Sequence, residues 1–221
     1  MIACLPVAPS IDLSESHLMN VHTPATQVPP SPATSLWERL KAETRSTHGS
    51  LDERIMSARP FADRERYVRF LRVQHDFHQL VSPLYQNLGL GALLPDLASR
   101  DRLAAVRQDL RDLGHEVAPV EVDVIGDLPT SLGWLYVAEG SNLGAAFLLK
   151  AARAIGLSEE FGARHLAPAQ EGRGLHWKSF TAALDAIDLS PEDVARVTAG
   201  ANAAFSRVLA AVEARFFNTA G

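Results

Sequence analysis

The chain has 221 residues, 47% of them hydrophobic and 21% charged, with a formal net charge of −5. That is enough apolar material for one core of ordinary size, and the acidic balance excludes the clustered basic footprint of a nucleic-acid binder. No run approaches the roughly 18 apolar residues of a membrane span. The single Cys4 excludes an internal disulfide and a cysteine-built zinc site, and a reducing, cytoplasmic setting is expected.

The opening "MIACLPVAPSIDLSESHLMN" lacks the basic start and continuous apolar run of a signal peptide. "NVHTPATQVPPSPATS" follows, rich in Pro, Thr and Ser and without periodicity, so residues 1–34 are expected to be a flexible extension. From Ser35 to the end the pattern is helical, which predicts one all-α domain over 35–221. Helices are predicted near 35–57, 63–87, 99–113, 130–156, 172–187 and 191–217, with a short one near 158–165. Glycines and prolines mostly punctuate them, Gly89, Gly91 and Pro95 among them. "VEVDVIGDLP" (120–129) comes nearest to a strand and is short and isolated.

In the first predicted helix, His48 falls at the border of the apolar face formed by Leu36, Leu40, Leu51 and Ile55. Asp52 stands one turn later, where its carboxylate can accept the free imidazole N–H and fix the ring. Lys41 stands two turns earlier and can meet an anion held near the imidazole. A histidine at such a border is more often a packed or solvated side chain than a ligand. No second histidine or carboxylate closes a metal site around it, so a metal here would have its other positions filled by something else, haem being the obvious case. In the second helix His75 and His78 stand three apart without a carboxylate cluster, and they read as structural or solvated. His165 and His176 read as packing or surface groups, and His17 and His22 fall in the extension.

The predicted helix over 130–156 contains "WLYVAEGSNLGAAFLLKAA", with Gly140 and Gly144 inside it and Gly133 just ahead. Two interior glycines cost about 2 kcal/mol of helix propensity. On a wheel the three glycines form one stripe, with Phe147 and Leu148 close by and Asn142 on the opposite side. A stripe without side chains admits either another helix or a planar ligand.

Taken together, "LKAETRSTHGSLD", "PFADRERYVRFLRVQHDF", "LPDLASRDRL", "LGWLYVAEGSNLGAAFLLKA", "FGARHL" and "GRGLHWKSF" resemble the haem oxygenase family, most of all its bacterial, biliverdin-producing members. The resemblance spans about 36–217. It implies an all-α fold with haem between a proximal and a distal helix. By position, His48 resembles the proximal iron ligand and Lys41 the basic partner of a haem propionate. Gly140, Ser141 and Gly144 resemble the distal motif whose backbone lies against the haem face. Tyr136 resembles a pocket tyrosine near a propionate, and Phe205 a pocket-wall aromatic. Arg173, Trp177 and Lys178 fall in a matching segment, with Trp177 and Phe180 also readable as core. Lys150 is a further propionate candidate.

The chain departs from the pattern at Ser141, where mammalian-type members carry an acid, and at Ala145, where bacterial members often carry a second glycine. The implied activity is cleavage of the haem macrocycle at a meso carbon to biliverdin, with iron and carbon monoxide released and molecular oxygen as co-substrate. Haem is then both substrate and cofactor, and a glycine face brings no strong acid or base over the iron. No flavin or nicotinamide fingerprint is present, so electrons would come from a separate ferredoxin or reductase. The bacterial family implies either iron acquisition or chromophore supply to a bacteriophytochrome. Two other readings stay open from the residues alone: a haem-binding or haem-trafficking protein of the same fold, and a helical module whose glycines pack on a partner helix.

Overall fold

The computed structural model describes residues 35–117 and 125–218. The predicted extension over 1–34 and most of the strand-like stretch lie outside the described residues. What is described is all-helical, with eight α-helices: α1 (Leu36–Glu43), α2 (Arg45–Ser57), α3 (Arg64–Tyr85), α4 (Leu88–Leu93), α5 (Leu103–Asp112), α6 (Leu128–Ala154), α7 (Arg173–Asp185) and α8 (Pro191–Val212).

The starts are written in the sequence. Ser35 and Glu38 form a reciprocal capping box, as do Ser190 and Asp193. Asp63 and Asp127 cap α3 and α6 by accepting from the N–H three residues on. Pro129 and Pro191 sit in the first turns, where a missing N–H costs nothing. Pro83 is tolerated in α3 because the helix ends two residues later.

Three local expectations are corrected. The helix predicted over 35–57 is two helices, broken at Thr44, whose hydroxyl donates to the Leu40 carbonyl at 2.7 Å. Residues 88–93 form a short helix despite Gly89 and Gly91, because Asn87 caps it and Leu90 is buried beneath it. The short helix expected near 158–165 is instead a tight turn, with Ser158 and Phe161 bonded to each other, followed by a single 3₁₀ turn at Arg164–Leu166.

Helix α6 is the axis of the bundle and packs along α8. Its first turns press so close that a Cβ on Gly133 would overlap the Val197 carbonyl oxygen and stand 2.5 Å from the Ala201 nitrogen. Reciprocally, a Cβ on Gly200 would overlap the Thr130 oxygen. Gly133 therefore belongs to a helix–helix contact, and the three-glycine stripe divides into two parts. Helix α3 packs on α5, α8 and α6, α7 on α6, and α2 chiefly on α8. The core runs through this stack, with Tyr67, Phe70, Leu71, Val81, Leu132, Leu135, Val197 and Val208 among its members.

Candidate functional site

His48 projects from α2 and remains 24% exposed. Its ring stands edge-on to Phe205 of α8, centroids 5.5 Å apart and planes at 87°. The expected Asp52 contact is present but long: Nδ1 lies 3.6 Å from Oδ2, close enough for ion pairing and beyond a good hydrogen bond. A Cβ added at the neighbouring Gly49 would meet nothing within 4 Å. Two helical turns past His48, Met56 is 46% exposed. The histidine thus borders open, partly apolar space.

Lys41 is exposed on α1, its Nζ 5.8 Å from the Trp37 ring. The break at Thr44 separates its helix from that of His48, so the two-turn spacing on one continuous helix does not hold. Tyr136 of α6 is buried and reaches this junction. Burial pushes its phenol up to about 12, opposed by a hydrogen bond with Thr44. Tyr136 also packs on Trp177 of α7, centroids 5.7 Å apart.

Past Tyr136, α6 changes character. Gly140 and Leu143 are half-buried, Ala146 is exposed, and Phe147 is 58% exposed. A Cβ on Gly140 would meet only Trp177, at 3.7 Å. Gly144 is buried. Ser141 donates its hydroxyl to the Ala138 carbonyl at 2.7 Å, so that oxygen is left as an acceptor. This strip of bare backbone and uncovered apolar side chain fits a flat, largely apolar ligand better than a solvated surface. Lys150 and Lys178 are exposed, whereas Phe180 is core.

On its other side α6 borders an interior cavity of about 30 Å³. Ile55, Phe77, Ser141, Ala145 and Leu148 line it together with the polar side chains of Gln74, His78, Asn142 and His165. Three polar atoms here, His78 Nδ1, Asn142 Nδ2 and His165 Nε2, are buried without a partner among the described residues. Asn142 does face away from Gly140, as expected, but toward this cavity and not toward solvent. His165 is fixed by Asp109, whose carboxylate lies 2.7 Å from Nδ1 and accepts the His165 backbone N–H at 2.9 Å. Burial, aided by the nearby positive charge of Arg102, drives His78 down to about 3 and keeps it neutral. His78, expected to be structural or solvated, and His165, expected to be a packing or surface group, are both buried. Their convergence depends on α3 and the 164–166 turn meeting over α6, which no local pattern signals. Among the described residues no group of three or more His, Cys, Asp and Glu side chains could hold a metal ion, at His48 or elsewhere.

The chain as a whole also matches known proteins. The heme oxygenase family model matches residues 34–214. The heme oxygenase PigA of Pseudomonas aeruginosa is 46% identical over 173 residues, covering 77% of this chain and 87% of that protein. The solved structure of the NO- and CO-bound heme oxygenase of Neisseria meningitidis superposes with a TM-score of 0.79 at 42% identity, covering 83% of this chain and 93% of that one.

Proposed function

The chain belongs to the haem oxygenase family and degrades haem, and we propose that it holds its substrate between the His48 face of α2 and the open Gly140–Phe147 face of α6. The observation that carries this reading is the open strip itself. Helix α6, largely buried elsewhere, leaves Gly140 and Leu143 half-buried and Phe147 58% exposed, and His48 on α2 keeps 24% of its surface. The bound haem supplies both the iron that takes up dioxygen and the ring that is cut, with biliverdin, iron and carbon monoxide as products.

His48 would hold the haem iron, and Asp52, 3.6 Å from Nδ1, would accept the Nδ1–H and fix the ring. Phe205 holds the imidazole plane. Lys41 and Tyr136, on either side of the Thr44 junction, anchor the propionates, and these anchors set the rotation of the macrocycle. Gly140, Ser141 and Gly144 would present backbone, rather than a side-chain acid or base, toward the haem face. The cavity on the other side of α6 has the size and the polar partners that one ordered water needs, and such a water would satisfy His78, Asn142 and His165 behind the proposed distal wall. Electrons come from an external ferredoxin or reductase, in a reducing, cytoplasmic setting. No helix among the described residues is long and apolar enough to cross a membrane.

Haem titration of His48→Ala tests the axial assignment. Loss of the histidine-ligated spectrum is expected, and an unchanged ferric spectrum overturns it.

A further inference from the structure

Next to the open strip lies a buried ionic cluster that the reaction as derived above does not use. Glu139, directly before Gly140, is wholly buried, and its partner Arg100 is 3% exposed. One carboxylate oxygen accepts from the Tyr85 hydroxyl at 2.8 Å, and the other accepts from Arg100 Nη1 at 2.9 Å. The same Arg100 nitrogen donates to the His176 carbonyl at 3.2 Å, and Nη2 donates to the Ser179 hydroxyl at 2.8 Å. His176 Nε2 lies 3.5 Å from Glu139, and its Nδ1 lies 2.7 Å from Glu171. One residue on, Trp177 covers Gly140 and Tyr136. At the head of α7, Arg173 donates to the Asn142 carbonyl at 2.9 Å and also to the Leu166 carbonyl.

The first two turns of α7 thus grip α6 at 139, 140 and 142, the residues bordering the open strip. A buried ion pair is a poor source of net stability, since desolvation offsets its attraction, but it tolerates few alternative geometries. An apolar contact in its place would permit small slides of α7 along α6.

We propose, on the reading of α6 as the wall over the substrate, that Glu139 is a positioning residue. With Arg100 it clamps α7 onto the Glu139–Asn142 segment and fixes where that wall stands, and with it which ring carbon faces the activated oxygen.

Glu139→Gln keeps the shape and the Tyr85 bond but leaves the Arg100 charge uncompensated. In the substrate-free full-length protein, hydrogen exchange is expected to speed up tenfold or more over 139–146 and 173–180, with 64–81 and 197–212 unchanged. In the haem-loaded protein under turnover, the ratio of bilin isomers is expected to shift while the His48-dependent spectrum stays the same. Unchanged exchange, or exchange raised by one factor in every helix, overturns the clamp. Local loosening with an unchanged isomer ratio overturns its positioning role. If Glu139→Gln does not fold, Ser179→Ala removes one Arg100 partner at the edge of the cluster and is judged by the same criteria. His48→Ala is expected to leave the exchange pattern of the substrate-free protein as it is, so failure of the axial assignment and failure of the clamp are read separately.

Discussion

In its first turns α6 runs so close to α8 that Gly133 and Gly200 each face the other helix's backbone, whereas two turns later the same helix leaves Gly140, Leu143 and Phe147 half-covered or open. The first pair of glycines exists because protein backbone comes too near for any side chain. At Gly140 no protein group comes near enough to exclude a Cβ, the nearest being the Trp177 ring at 3.7 Å. An alanine at 140 would fit the protein alone, in ordinary contact with Trp177, which is consistent with the proposed substrate face. One helix therefore carries glycine first where another backbone presses on it and then where space is left for a side chain.

The sharpest way to break this contrast is Gly133→Ala. Its Cβ overlaps backbone that cannot swing aside, so a loss of about 3 kcal/mol or more is expected in urea unfolding, at or beyond the upper range of overpacking. A loss below 1 kcal/mol would mean that the two helices slide apart freely.

The next largest effect concerns the cavity behind the open half. His78 takes up a proton at about 3 when folded, against 6.5 for its ordinary value. Below pH 6.5 the unfolded chain therefore binds the extra proton, and stability falls by about 1.4 kcal/mol per pH unit toward pH 3 from this group. Between pH 6 and 4, His78→Gln is expected to show a shallower fall than the parent in urea titrations. Parallel slopes would place His78 in contact with solvent.

Gly140→Ala is expected to go the other way. It gains about 1 kcal/mol of helix propensity without a clash, while haem affinity measured by Soret titration falls. Increased stability together with unchanged affinity would remove Gly140 from the substrate face. The smallest stability effect is expected for Phe147→Ser, within about 0.5 kcal/mol for the substrate-free protein, as for a surface change. Its haem affinity is nonetheless expected to drop.

Much of this was legible because it is periodic or local. The caps at Ser35, Asp63, Asp127 and Ser190 bound their helices by side chains three residues from the amides they satisfy. His48 and Asp52 share a helical face and do approach each other. The wheel could not separate Gly133 from Gly140, since both lie on one stripe and differ only in what α8 places opposite them. Gly200, the reciprocal partner, carries no local signal at all. The break at Thr44 arises from a threonine hydroxyl competing for a helix carbonyl and from a tyrosine 92 residues later, Tyr136, reaching that junction. The Arg100–Glu139 pair and the three unpartnered cavity atoms each depend on elements remote in sequence arriving together, so composition and spacing could not announce them.

The far end of α2 carries one more such long-range tie. Arg54, six residues beyond His48, donates from Nε and Nη2 to the two oxygens of Glu213 at 2.5 and 2.7 Å and lies over the Phe217 ring. The helix that bears His48 is synthesised before the surface it rests on, α8 and the Glu213–Phe217 turn. A chain still emerging from the ribosome therefore carries the histidine without its seat. A chain stopped short of residue 191 would lack that surface and leave α2 without the helix it chiefly packs on.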